Sequence, residues 1–224
     1  MMSGSRKKNE DDPSPPGVPK AVVNRLSLYS RELQRLQDEG RETVSSGDLG
    51  AMLGFTDAQV RKDLAYFGQF GYPGIGYRTS ELVGAIRQIL GTNLNWQVAI
   101  VGIGNLGRAL LGYKGFGRQG FHIAAALDSD PRKVGNVVEG ITVQDIAELP
   151  NLVAEKGIKL GMIAVPAQYA QEVADRMAEA GIQGIVNFAP VTISLPEHVS
   201  LVGVDLAIEL EQIAFAVVNR ASVR

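Results

Sequence analysis

Val98-Ala-Ile-Val-Gly-Ile-Gly-Asn-Leu-Gly107 is the stretch on which the reading of this chain turns. Val98 to Val101 is a short unbroken apolar run, as a strand buried on both faces requires, and glycines follow it at once. Gly102, Gly104 and Gly107 have the spacing G-x-G-x-x-G: the first permits the turn, the second lets a pyrophosphate approach the backbone, and the third lets helix and strand pack closely. Ile103, Asn105 and Leu106 complete the loop and the first helical turn, whose free N–H groups would face the phosphates. Glycines alone would also suit a turn that binds nothing. A second apolar run, Phe121 to Leu127, ends at Asp128, 21 positions after Gly107. A dinucleotide fold places there the carboxylate that accepts from the adenosine ribose, and its charge disfavours the extra phosphate of NADP. The competing reading of Asp128 is a solvated acid ahead of the Asp130-Pro131 turn. Strand, glycine turn, helix, strand and acid in this order favour dinucleotide binding.

The 224 residues suffice for two modest domains with real cores, and 45% hydrophobic with 21% charged residues is ordinary for a globular protein. The absence of cysteine excludes disulfides, thiolate metal sites and a cysteine nucleophile, and fits a reducing compartment. No apolar run reaches the ~20 residues of a membrane span and no signal-peptide core opens the chain, so a cytoplasmic protein is expected. A formal net charge of only −2 means that contact with nucleic acid must come from a local patch.

Residues 1–18 are polar and rich in proline, and are expected to be a disordered tail. From Pro19 onward Val22, Leu26, Tyr29, Leu33 and Leu36 recur on one face of a helix that Gly40 ends, with Arg31 opposite. Ser45-Ser46 opens a short helix, Asp48 to Leu53, that stops at Gly54, and Thr56-Asp-Ala-Gln59 is a capping box for a helix running to about Phe67. The pair forms a helix-turn-helix. On its second helix Val60, Leu64 and Phe67 point inward, whereas Lys62 faces outward beside Ala58 and Ala65, flanked by Gln59, Arg61 and Tyr66. Small alanines around basic, amide and phenol groups suit a helix pressed into a major groove, although good helix formers on a plain surface would look similar. Gly68 to Tyr77 alternates glycine with aromatic or apolar residues as a hairpin would, so Tyr72 to Arg78 is expected to be the wing of a winged helix. Ser80 to Leu90 closes this domain, residues 19–91, and Gly91 to Asn95 links it to the next.

Arg61-Lys-Asp-Leu-Ala-Tyr-Phe-Gly68, Gly74-Ile-Gly-Tyr77, Val101 to Gly107, Tyr113-Lys-Gly-Phe-Gly117 and Asn187-Phe-Ala-Pro190, in that order, resemble the Rex family of redox-sensing transcriptional repressors. The resemblance covers nearly everything after the tail. It implies a homodimer with an N-terminal winged helix and a Rossmann domain that binds double-stranded operator DNA when free or NAD-bound and is released by NADH. Together with the outward face of the second helix it leads to expected DNA contacts from Gln59, Arg61, Lys62 and Tyr66 on the helix and from Gly74, Gly76, Tyr77 and Arg78 on the wing. Where the family often carries a basic residue before Gly-x-Gly-Tyr, Pro73 stands here, and Arg78 is the nearest cation.

Further strands are expected at Ile141 to Val143, Leu160 to Val165, Gly184 to Phe188 and Val199 to Val204, with a helix from Gln168 to Ala180, completing a nucleotide-binding domain over residues 92–205. Val165, Pro166, Asn187 and Phe188 then converge on one rim, where a nicotinamide could lie, although strand ends also carry such residues for packing alone. The last segment, residues 206–224, carries apolar side chains around nearly the whole circumference of a helix. Such a helix is buried on all sides, which one chain's appendage achieves by inserting into a partner, so a dimer with swapped terminal helices is expected. The resemblance implies a switch as well, in which Asp205 exchanges between Tyr113 and Arg31 of the other subunit. Leu206 stands where the family often has a phenylalanine against the partner's nicotinamide.

The expected fold is thus α/β, a winged helix followed by a Rossmann-type parallel sheet and a domain-swapped helix, with NADH and NAD as cofactors. An NAD-dependent oxidoreductase is the main alternative, but it needs a substrate domain and an acid/base group, and only one apolar helix follows the sheet. Neither His122, inside a strand, nor His198, in a loop, supplies that group, so no catalytic residue and no metal site is expected. A CoA-binding Rossmann domain is the third reading.

Overall fold

The computed structural model describes residues 18–221, and the tail expected over residues 1–18 lies outside them except for Val18. The chain divides into two compact units between Asn95 and Trp96.

The first unit is built on α1 (Lys20–Asp38), whose Val22, Leu26, Tyr29, Leu33 and Leu36 are all buried, the stripe that the 3.6-residue period requires. A two-residue strand, β1 (Thr43–Val44), leads into α2 (Ser46–Leu53), where the Ser45 side chain accepts from Asp48 N–H and left-handed Gly54 stops the helix. Thr56 likewise caps α3 (Asp57–Ala65) by accepting from Gln59 N–H at 3.1 Å. The capping box is only half formed, because the Gln59 side chain turns to Asp63 instead of back to Thr56. The helix also ends at Ala65 rather than Phe67, which is half-buried against the core beyond it. β2 (Tyr77–Arg78) pairs antiparallel with β1, Val44 opposite Tyr77, and α4 (Thr79–Ile89) packs Leu82, Val83 and Ile86 into the same core. The hairpin expected over residues 68–77 reduces to one bridge, Tyr72 to Gly76, since glycines there offer no side chains to hold a longer ladder. Gly76 has φ +89°, and a Cβ on it would lie 2.5 Å from the Val44 carbonyl oxygen.

The second unit is a seven-stranded sheet of order β5-β6-β4-β3-β7-β8-β9. Its strands are β3 (Trp96–Val101), β4 (Phe121–Asp128), β5 (Val137–Val138), β6 (Ile141–Asp145), β7 (Leu160–Ile163), β8 (Gly184–Asn187) and β9 (Ser200–Gly203). All neighbours are parallel except the short edge strand β5, so β6-β4-β3-β7-β8-β9 is the dinucleotide-binding order, which reverses direction between β3 and β7. Helices α5 (Asn105–Leu111), α6 (Gly115–Arg118), α7 (Leu149–Lys156) and α8 (Ala167–Glu179) connect them. Ala99 and Val101 of β3 face one core with α7 and α8, and Val98 and Ile100 face another with Leu110 and Leu111 of α5. Burial on both faces is why the Val98 to Val101 run does not alternate. β7 stops at Ile163, two residues short of the expectation, and β8 stops at Asn187.

The final helix, α9 (Leu206–Ala221), is exposed along its described length. Leu206, Leu210, Ile213 and Phe215 are 61–72% accessible in the single chain.

Candidate functional site

The three glycines of the β3–α5 turn do three different things. Gly102 adopts φ +98°, and a Cβ there would lie 2.6 Å from the Ala164 carbonyl oxygen at the end of β7. A Cβ on Gly107 would lie 2.0 Å from the Gly102 oxygen, so this glycine lets α5 sit against the turn. Around Gly104 a Cβ would meet nothing within 4 Å, and that open space belongs to a cavity of about 490 Å³ at the carboxyl ends of β3, β4 and β7. No side chain caps the first turn of α5, which leaves its amides available.

Gly102, Gly104, Asp128, Val165 and Pro166 of the expected nucleotide site line this cavity. Ile103 turns its side chain into the core, Gly107 is buried, and Asn105 and Leu106 are exposed on the first turn of α5. Asn187 and Phe188 are not brought into its wall. The Asn187 amide donates to the Ala189 and Val191 carbonyls and accepts from Ala189 N–H, a buried brace for its own loop, and Phe188 packs half-buried against the β3 core. Lys133, Tyr169, Glu172 and Arg176 line the cavity without having been singled out in the sequence. The last three fall at i, i+3 and i+7, one face of α8, so helical periodicity was a signal for them.

Asp128 is buried and its carboxylate is already engaged. Oδ2 accepts from Ile103 N–H at 2.7 Å and from Lys133 Nζ at 2.8 Å, and Oδ1 accepts from Asp130 N–H at 2.9 Å. Burial pushes this carboxyl up, but those donors more than offset it and hold it below the usual carboxylate range. An ionised acid beside an open glycine turn fits a ribose and a pyrophosphate.

In the first unit Ala58, Arg61, Lys62 and Ala65 form the exposed face of α3, with Tyr66 exposed just past its end and Gln59 half-buried at its edge. Arg61 pairs with Asp57 at 2.8 Å and donates to Ser46 Oγ at 3.2 Å. On the wing, Gly74 takes φ +76°, while the Arg78 guanidinium lies 4.9 Å from the centroid of the Tyr72 ring and donates to Glu81 at 3.0 Å. Tyr77, expected to reach DNA, is instead buried in the core with its ring under Gly71; a glycine neighbour admits an aromatic ring as readily beneath a turn as outside it. Asp63, which sequence reasoning passed over, is fully buried on α3 and accepts from Arg25, Tyr29 and Gln59.

Of the three positions expected to form a switch, Arg31 is exposed on α1, Tyr113 is exposed and edge-on to Phe116 at 4.9 Å, and Asp205 caps α9 by accepting from Ala207 N–H at 2.9 Å. His122 and His198 are exposed, and among the described residues no group of three His, Asp or Glu could hold a metal ion.

Two family models match the chain, one described as a putative DNA-binding protein N-terminus over residues 17–65 and one as a CoA binding domain over residues 93–191. A redox-sensing transcriptional repressor Rex of Desulfitobacterium hafniense is 46% identical over 203 residues, 91% of this chain and 97% of the relative. Its namesake from Roseiflexus is 49% identical over 181 residues, 81% and 82% of the two chains. Among solved structures, RSP in complex with β-NAD+ and operator DNA superposes with a TM-score of 0.87 at 33% identity, covering 92% of this chain and 95% of that one. RSP in complex with β-NADH gives 0.83 at 32% identity, covering 93% and 98%.

Proposed function

The chain belongs to the Rex family of redox-sensing transcriptional repressors, and from that premise we propose that it binds operator DNA as a dimer, holds NADH or NAD in the cavity of its second unit, and leaves the DNA when NADH is bound. The observation that carries the cofactor reading is the pairing of the open Gly104 surface with the ionised Asp128 across one cavity at the β3/β7 reversal. In this reading Gly102, Gly104 and the first amides of α5 cradle the pyrophosphate, Asp128 accepts from the ribose, and Val165 and Pro166 form the apolar wall toward the nicotinamide. When bound, the nicotinamide supplies a ring that is cationic in NAD and neutral in NADH. Everything else in the response is done by the chain.

The exposed Arg61, Lys62 and Tyr66 of α3, with Arg78 on the wing, supply the DNA face. Two such faces enter successive major grooves only at the spacing of about one helical turn, so a modest rotation between subunits abolishes binding. The apolar surface of α9 supports a dimer joined by exchanged terminal helices, with Asp205, Tyr113 and Arg31 at the joint. The protein acts as a regulator rather than an enzyme, in the cytoplasm where its DNA is. A second reading, CoA as the ligand, has the description of one matching family model in its favour.

A gel shift on a palindromic operator-like duplex, titrated separately with NADH, NAD and CoA, tests the proposal. NADH is expected to dissociate the complex and NAD at equal concentration to leave it bound. A hundredfold release corresponds to about 2.7 kcal/mol of coupling, and linkage requires DNA to weaken NADH binding by the same factor. A complex that tightens with NADH, or that responds only to CoA, would overturn it.

A further inference from the structure

Asp63 is the one buried carboxylate among the described residues of the first unit, and every acceptor position it has is filled. Arg25 grips both oxygens, Nε to Oδ2 at 2.5 Å and Nη2 to Oδ1 at 2.7 Å. The Tyr29 hydroxyl donates to Oδ2 at 2.8 Å, and Gln59 Nε2 donates to Oδ1 at 2.7 Å. Arg25 and Tyr29 lie one turn apart on α1, so three of the four bonds pin α3 to α1. The fourth does something else. Gln59 is one turn before Asp63 on α3 itself, and its bond adds nothing to the docking of the two helices.

What that bond fixes is the direction of an amide. An ionised carboxylate accepts and never donates, so the atom of Gln59 that faces it must be the nitrogen. Burial raises the Asp63 carboxyl, yet hydrogen bonds from Arg25, Tyr29 and Gln59 overcome this and keep it ionised. The Gln59 carbonyl and its second N–H are therefore turned away from Asp63. They sit in the first turn of α3, beside exposed Ala58 and Lys62, where the small side chain of Ala58 leaves close approach open. A carbonyl acceptor next to an N–H donor is the edge that matches the N6 donor and N7 acceptor of adenine in the major groove.

We propose that Gln59 reads one adenine in each half-site of the operator and that Asp63 is the positioning residue that turns its amide for the task. This rests on the reading of α3 as the recognition helix. Selection by the full-length protein from a randomised duplex pool, followed by competition with single-base variants of the selected site, tests it. The wild-type chain is expected to select an A·T pair at one position per half-site, with a loss of about five- to hundredfold on replacing it. Gln59→Met should abolish the preference at that position alone and leave the other positions and the salt dependence as they were. Gln59→Glu, which only accepts and is repelled by the ionised Asp63, should lose the A·T preference there as well. Asp63→Asn also weakens the docking of α3 to α1, so it should lower affinity for all duplexes and blur this one position more than any other. If Asp63→Asn does not fold, the two Gln59 variants decide the matter. Retention of every wild-type preference by Gln59→Met, or loss at a G·C position, overturns the assignment. A wild-type chain that selects no sequence at all overturns the reading of α3 instead.

Discussion

In the proposed reading Asp128 would meet a ribose with its carboxylate already bonded to Ile103 N–H, Asp130 N–H and the Lys133 ammonium. A 2′-phosphate would therefore be repelled by the acid and attracted by the lysine 2.8 Å from it. Removing the acid frees the lysine, so Asp128→Ala should lose roughly tenfold or more in NADH affinity, the value of a hydrogen bond to a charged group, while NADPH loses less. Fluorescence titration with both cofactors checks this, and an unchanged ratio of affinities would refute it. Asp63 makes a prediction of another kind. Its folded pKa is depressed, so its contribution to stability is present above the unfolded value near 3.8 and is lost as pH falls through the lower folded value. Thermal unfolding of the wild-type chain should accordingly show an acid limb below about pH 4, in the ordinary aspartate range, that is shallower in Asp63→Asn. Equal acid limbs in the two would exclude Asp63 as its source. Asp128 was legible because the fold places an acid at a set distance beyond the glycine turn. Asp63 was not, because its main partner Arg25 is 38 positions away and nothing local distinguishes a buried aspartate on a basic helix from a solvated one. Tyr77 and Asn187, polar groups expected at binding sites, are used by the chain for its own packing.

Among the elements, those with a repeating stripe or a capped start were read correctly. The five buried residues of α1, the Ser45 and Thr56 caps and the glycine stop of α2 all follow from side-chain periodicity and N–H satisfaction within a few residues. α7 escaped because it opens on Leu149-Pro150, and a proline that suits the first turn of a helix reads equally as a break. β5 escaped because two residues carry no period. α3 is where an element-scale test is sharpest. Lys62→Ala should lower affinity for all duplexes and shallow the salt dependence by about one unit, the signature of one phosphate contact. Arg61 must exchange its 2.8 Å pair with Asp57 for DNA, so Arg61→Ala should cost less than Lys62→Ala. Operator binding unaltered in both variants would remove this helix from the interface.

At the scale of the molecule, the sheet order was implicit in the alternation of apolar runs and helices, because parallel strands with right-handed crossovers leave few arrangements. α9 was legible in composition, as a helix apolar on nearly every side. On the proposed exchange of terminal helices, deleting the residues after Asp205 should give an aggregating or unstable protein, since the groove that a partner's helix would fill is left bare. A well-folded, monodisperse monomer in light scattering would show that the helix was never exchanged. The exposed apolar length of α9 also sets how the repressor responds to its own abundance. With a second copy as its cover, the DNA-binding species is the product of two chains meeting. Below the dissociation constant of the pair its amount varies as the square of the chain concentration, so halving expression leaves about a quarter of the repressor. Gene dosage then acts on the operators more steeply than any single-site affinity would suggest.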